Sequence, residues 1–135
     1  MTVPKTWRRI PELYNLQGTK CKSCSALFFP GREVCVKCGS ISLEPYRFQG
    51  KGRVVTFTII RSQISDPEGE NIDIPAREIP YVLAIVELAE GPMLTCQIVD
   101  TPEKDVFIGK QVDMVFRKIV EKGKRGVIQY GYKFR

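Results

Sequence analysis

Residues 20–40 read KCKSCSALFFPGREVCVKCGS, in which two C-x-x-C pairs, Cys21/Cys24 and Cys35/Cys38, stand ten residues apart. No other feature narrows the fold so far. Each C-x-x-C can wrap a tight turn around a metal ion and bring two sulfurs to one side. The stretch between the pairs is long enough to return the chain, with Pro30 and Gly31 supplying a bend. Four thiolates then complete a tetrahedral set, the spacing of a zinc ribbon or rubredoxin-like pair of knuckles. A catalytic zinc keeps a position for water or substrate, whereas four protein sulfurs leave none, so the metal's work here is folding. A segment of about twenty residues buries too little apolar surface to stand alone, and structural Zn²⁺ contributes on the order of 10 kcal/mol or more of apparent binding free energy.

Three other readings compete for the same cysteines. Iron accepts the same ligands in a rubredoxin-type electron carrier, though zinc is favoured. Two disulfides, or four unrelated buried thiols, would also use the residues, but the spacing and the absence of a secretory leader argue against both. The chain has no histidine, which removes any mixed-ligand site. Lys20, Lys22, Arg32 and Lys37 crowd the segment and favour the thiolate form of each sulfur.

The missing histidine also limits chemistry elsewhere. Ser-His-Asp and Cys-His nucleophiles are unavailable, and so is the most usual general base. A carboxylate, lysine or cysteine base remains possible, yet no pairing along the sequence points to one. Cys96, in MLTCQIV, shares a strand face with Leu94 and Ile98 and reads as a small buried residue. No catalytic residue is assigned.

The rest of the chain is mainly β. Trp7, Ile10, Leu13, Tyr14 and Leu16 recur at roughly helical spacing, split by Pro11, which predicts a short helix before Ile10, another turn from Pro11, and an end at Gly18. QGKGRV, residues 49–54, reads as a glycine-rich turn. From Arg53 onward RVVTFTIIR, YVLAIVEL, MLTCQIV, KQVDMVFRKIV and GVIQYGYKFR predict five strands. Val112, Met114 and Phe116 share one face of the fourth, and Ile128, Tyr130, Tyr132 and Phe134 one face of the fifth. Five sequential strands predict a small Greek-key barrel, an OB-fold, with an SH3-like barrel as the nearest rival. The expected organisation is an N-terminal helical segment (1–19), a zinc ribbon (20–48) and an OB-fold domain (49–135). Residues 62–80 form a long proline- and acid-rich connection, a mobile excursion or a functional loop.

At 135 residues this is one domain's worth of chain, with no secretory pattern and no apolar run long enough for a bilayer, so a soluble cytoplasmic protein is expected. The net charge of +6 suits an anionic partner without choosing one.

The residues then become familiar. YNLQGTKCKSCSALFFPGREVCVKCGS, GKGRVVTFTII, PYVLAIVELAEGPMLTCQIVD, IGKQVDMVFRK and YGYKFR, in this order, resemble the acyl-CoA-associated family that joins a rubredoxin-like zinc ribbon to an OB-fold. VELAEG, IGKQV and GYKF carry the resemblance more specifically than the cysteines do. One knuckle departs from the pattern: Gly39 follows Cys38, but Ser25 follows Cys24 where glycine is common. The resemblance implies one structural zinc and a non-catalytic partnership with thiolase-superfamily enzymes. Archaeal members of this layout bridge acetoacetyl-CoA thiolase and 3-hydroxy-3-methylglutaryl-CoA (HMG-CoA) synthase of the mevalonate pathway. On that footing Trp7, Arg8, Arg9 and Ile10 are candidate partner-binding residues, as is the 62–80 loop, because Trp and Arg anchor interfaces. Trp7 packing onto the chain's own ribbon is the structural alternative.

Two other functions remain open in the sequence. A nucleic-acid-binding OB module could stack bases on Phe57, Tyr130 and Tyr132, although the parity of the last two with Ile128 marks a core face. The barrel could instead hold the phosphates of CoA through Lys118, Lys122, Lys124 or Arg125.

Overall fold

The computed structural model describes residues 2–62, 79–121 and 124–135. Two helices lead in: α1 (Val3–Arg8) and α2 (Ile10–Asn15). They are separated at Arg9, and Pro11 opens α2, where its missing N–H has no helical partner to lose. The helix stops earlier than the sequence predicts. Leu16, fully buried, takes the left-handed turn at φ 49°, and Gly18 already belongs to a strand. A Cβ on Gly18 would collide with the Phe28 carbonyl, so glycine is required there for close packing of two strands.

The ribbon is a three-stranded sheet in the order β2-β1-β3, made of β1 (Gln17–Cys21), β2 (Leu27–Phe28) and β3 (Leu43–Arg47). Both pairings are antiparallel, with Thr19 opposite Phe28 on one side and Pro45 on the other. The five strands that follow are β4 (Lys51–Ile60), β5 (Tyr81–Leu88), β6 (Met93–Ile98), β7 (Gln111–Glu121) and β8 (Ile128–Phe134). They close as β4-β5-β6-β8-β7, the OB-fold, with a single 3₁₀ turn at Glu103–Asp105 before β7. The predicted glycine-rich turn is shorter than expected. Gly50 takes a positive φ of 79°, but Lys51 and Gly52 are already in β4.

Two separate cores result. The larger fills the barrel with Val54, Val82, Ala84, Val86, Leu88, Leu94, Cys96, Ile98, Val112 and Phe134, joined by Leu16 from the lead-in and Phe48 just after β3. The smaller consists of Cys21, Ala26 and Cys35 with Phe28 and Leu43 against them. The sequence Leu27-Phe28-Phe29 is shared between them. Leu27 and Phe29 pack on the barrel core, and Phe28 on the cysteines. Phe29 is the joint, its ring 5.9 Å from Phe48 and 5.7 Å from Tyr132, both edge-on.

β7 and β8 outrun the barrel. β7 pairs with β4 only over Gln111–Asp113, and β8 meets β6 at Ile98–Phe134, so the remainder of the pair is a two-stranded ribbon. Side chains expected on one core face therefore part company. Phe134 and Val112 are buried, whereas Phe116 is 47% and Ile128 42% exposed. The 62–80 connection falls almost wholly outside the described residues, as do Lys122 and Gly123.

Candidate metal centre

The two knuckles are copies of one another in backbone bonding. In the first, the Cys21 amide donates to the Ala26 carbonyl (2.8 Å) and the Ser25 amide to the Cys21 carbonyl (3.0 Å). In the second, the Cys35 amide donates to the Ser40 carbonyl and the Gly39 amide to the Cys35 carbonyl, both at 2.9 Å. The residue after the second cysteine is left-handed in each, at φ 61° for Ser25 and 72° for Gly39. Serine thus occupies a turn that suits glycine, at a backbone cost of about 1–2 kcal/mol. Ligation does not suffer.

The four sulfurs converge. Cys21 Sγ lies 3.6 Å from Cys38 Sγ, Cys24 Sγ lies 3.5 Å from Cys35 Sγ, and all four fall within 4.8 Å of one another. A tetrahedral zinc with Zn–S bonds of about 2.3 Å has sulfur–sulfur edges of about 3.8 Å, which these separations approach. A disulfide requires about 2.05 Å, far shorter. Among the described residues these cysteines are the one cluster of His, Cys, Asp or Glu able to hold a metal ion. Four soft donors and no open position fit one structural Zn²⁺. Cys21 and Cys35 face the small core, while Cys24 and Cys38 face solvent.

Acidities within the cluster follow the same backbone turns. The Cys24 amide, above all, lowers the Cys21 thiol to about 6, and the Cys38 amide likewise lowers Cys35. For the outer pair the nearest amides also pull downward, Ala26 on Cys24 and Ser40 on Cys38. Contact with the neighbouring sulfurs and burial outweigh them, raising Cys24 and pushing Cys38 to about 12. The backbone turns thus favour the thiolate at the inner pair, while sulfur crowding opposes it at the outer pair, a repulsion that a bound dication would compensate.

Cys96 stands apart from this chemistry. Burial inside β6 pushes its thiol to about 12, so it is an inert core residue, as the sequence implies.

The remaining candidates separate clearly. Trp7 is 69% exposed and belongs to neither buried core. Arg8 is exposed at the end of α1, Arg9 pairs with Glu12 at 2.7 Å, and Ile10 is 36% exposed. The residues nominated for base stacking are engaged. Phe57 and Tyr132 pack against the barrel core, and Tyr130 stacks on Phe116 with ring centroids 5.6 Å apart. Of the residues nominated for CoA phosphates, Lys118 bonds Glu121, Lys124 and Arg125 are exposed, and Lys122 lies outside the described residues. Sequence reasoning missed the exposure of Phe116 and its edge-on contact with Tyr14 at 5.0 Å, because parity alone assigns Phe116 to the core.

Comparison with known proteins supports the same architecture. Residues 10–44 match the ChsH2 rubredoxin-like zinc ribbon domain, and residues 46–117 match the ChsH2 C-terminal OB-fold domain. A DUF35 domain-containing scaffold protein of Methanocaldococcus jannaschii is 45% identical, the alignment covering 98% of this chain and 89% of that one. One from Methanothermobacter thermautotrophicus is 47% identical over 97% of this chain and 93% of its own. Among solved structures, an Ltp2-ChsH2(DUF35) aldolase chain superposes with a TM-score of 0.75 over 100% of this chain and 95% of that one, at 24% identity, and so shares its fold. No helix among the described residues is long and apolar enough to cross a membrane. Ribbon, barrel and near-full-length relatives agree: the chain belongs to the DUF35 family of zinc-ribbon and OB-fold scaffold proteins.

Proposed function

We propose that this protein is a non-catalytic cytoplasmic scaffold that bridges acetoacetyl-CoA thiolase and HMG-CoA synthase of the mevalonate pathway. The observation that carries this reading is similarity over nearly the whole chain to archaeal proteins that are themselves scaffold proteins. The closed sulfur site is in keeping with it, since a saturated metal can stiffen a module but offers substrate no coordination position.

Such a bridge has a physical rationale. Condensing two acetyl-CoA molecules is uphill, so the thiolase product stays scarce. Holding the consuming enzyme beside its source raises the local concentration at the next active site. An adaptor then needs surfaces rather than an acid–base pair. The proposed units are the lead-in (1–19), the ribbon (20–48) and the barrel (49–135), with Trp7, Arg8, Arg9 and Ile10 contacting a partner.

Reconstitution is the test. The chain, the thiolase and the synthase from one organism are mixed in pairs and together, and each mixture is sized by light scattering. A ternary assembly that forms only when this chain is present supports the bridge. Association of the two enzymes without it, or no association with either, overturns the reading.

A further inference from the structure

The lead-in carries an apolar stripe wider than its central Trp7. Val3 and Trp7 on α1 stand four residues apart, as do Ile10 and Tyr14 on α2, so each pair shares one face of its helix. All four remain exposed, at 48%, 69%, 36% and 37%. The opposite side of α2 is used: Leu13 is buried and sits against Gly131 of β8. The stripe does not end with the helices, because the Tyr14 ring meets Phe116 edge-on and Phe116 stacks on Tyr130. Exposed helix and exposed β7–β8 ribbon thus join in one apolar track.

α1 has little of its own to hold it. None of its six residues is buried, and Thr2 at its N-cap makes no side-chain capping hydrogen bond. Isolated helices shorter than about 12 residues are marginal in water. The charges around the stripe have one sign. Residues 2–9 carry Lys5, Arg8 and Arg9 and no acid, and of the three, among the described residues, Arg9 alone is paired with a carboxylate, that of Glu12.

We infer that Val3, Trp7, Ile10 and Tyr14 are a docking stripe for a hydrophobic groove edged with carboxylates on one of the two partner enzymes, and that α1 becomes firmly helical only in that groove. This rests on the scaffold reading above and names the surface that would serve it. Lys5 and Arg8 flank the apolar residues as a rim would, and their charge requires acidic groups opposite. Two aliphatic members, Val3 and Ile10, offer nothing to a nucleic-acid base. A lipid surface is disfavoured by the end of the stripe, because Tyr14 is held against Phe116 of the β7–β8 ribbon and the lead-in is not a free helix able to lie flat.

The experiment uses the full zinc-loaded chain and titrates it separately with purified thiolase and purified synthase, alongside vesicles of phosphatidylserine and phosphatidylcholine. Trp7→Ala and Val3→Asp are each expected to weaken binding of one enzyme at least about tenfold while binding of the other is unchanged. Arg8→Glu should slow association with that same enzyme, most at low salt. Amide hydrogens of residues 6–9, the ones bonded within α1, should exchange fast in the free chain and slowly in that complex. Because Trp7 and Val3 are exposed, unchanged zinc content and melting will show that the variants fold. Binding of both enzymes that neither substitution disturbs overturns the stripe while leaving the scaffold reading intact. Protection of residues 6–9 in the free chain overturns the folding-on-binding step, and preference for vesicles over both enzymes overturns the protein groove. A chain that binds neither enzyme defeats the scaffold reading and the stripe with it.

Discussion

The ribbon and the barrel offset chain entropy by different means. The barrel encloses a continuous set of apolar side chains contributed by every one of its five strands. The ribbon has only Cys21, Ala26 and Cys35 fully inside, with Phe28 and Leu43 leaning on them. Three small side chains cannot order some thirty residues by burial, whatever their packing. The metal does in the ribbon what apolar area does in the barrel, and the consequence is unequal vulnerability. Chelation should attack one half of the molecule and core truncation the other.

The most severe break is Cys35→Ser. It leaves three sulfurs, and the loss is expected to reach a large part of the order of 10 kcal/mol that a structural zinc supplies. Zinc content should fall to near zero and amide protection in β1–β3 should vanish, while β5 and β6 keep theirs. Collapse of protection in both regions together would mean that the barrel depends on the ribbon and that the two halves are not held independently. Second in size is Phe29→Ala, which empties the joint while touching neither sulfur nor strand. A cost of about 2–3 kcal/mol is expected in denaturant melts, below the full value for a buried phenylalanine because Phe29 is only half-buried. One zinc per chain should be retained.

A smaller effect comes with pH. Cys21 and Cys35 are held below the ordinary thiol range, so their share of metal affinity is present at neutral and higher pH and is lost on acidification. Zinc retention against a fixed chelator should therefore weaken as pH falls, because protons compete with the metal for the sulfurs. The smallest expected change is a gain. Ser25→Gly relieves a left-handed serine and should slow chelator-driven unfolding by the equivalent of about 1 kcal/mol, with Gly39→Ser the matching loss. No difference between the two knuckles would mean that the turn is relaxed with either residue.

Much of this was legible in the residues. Sulfur spacing is a local constraint, because a C-x-x-C turn brings its own ligands together whatever surrounds it. The five strands were legible for a related reason, since each is a short run of β-branched residues ended by glycine, proline or charge. What escaped depends on partners distant in sequence. Leu16, rather than Gly18, ends α2 because burial in the barrel core holds a leucine in a left-handed turn. Phe116 follows the parity of Val112, but it lies where β7 has already left β4, a point that pairing and not pattern decides. β2 is two residues long and carries no periodicity to detect.

The division of labour across Leu27-Phe28-Phe29 limits how this molecule can change. Neighbouring side chains on an extended strand point to opposite sides, so two halves of the protein are indexed to each other by odd and even positions. A single inserted residue between Cys24 and Leu27 would hand Phe28 to the barrel and deny the knuckles their only phenylalanine. Length variation in that short hinge is therefore filtered by parity, and the angle at which the metal-bearing tip leaves the barrel is kept by counting as much as by contact.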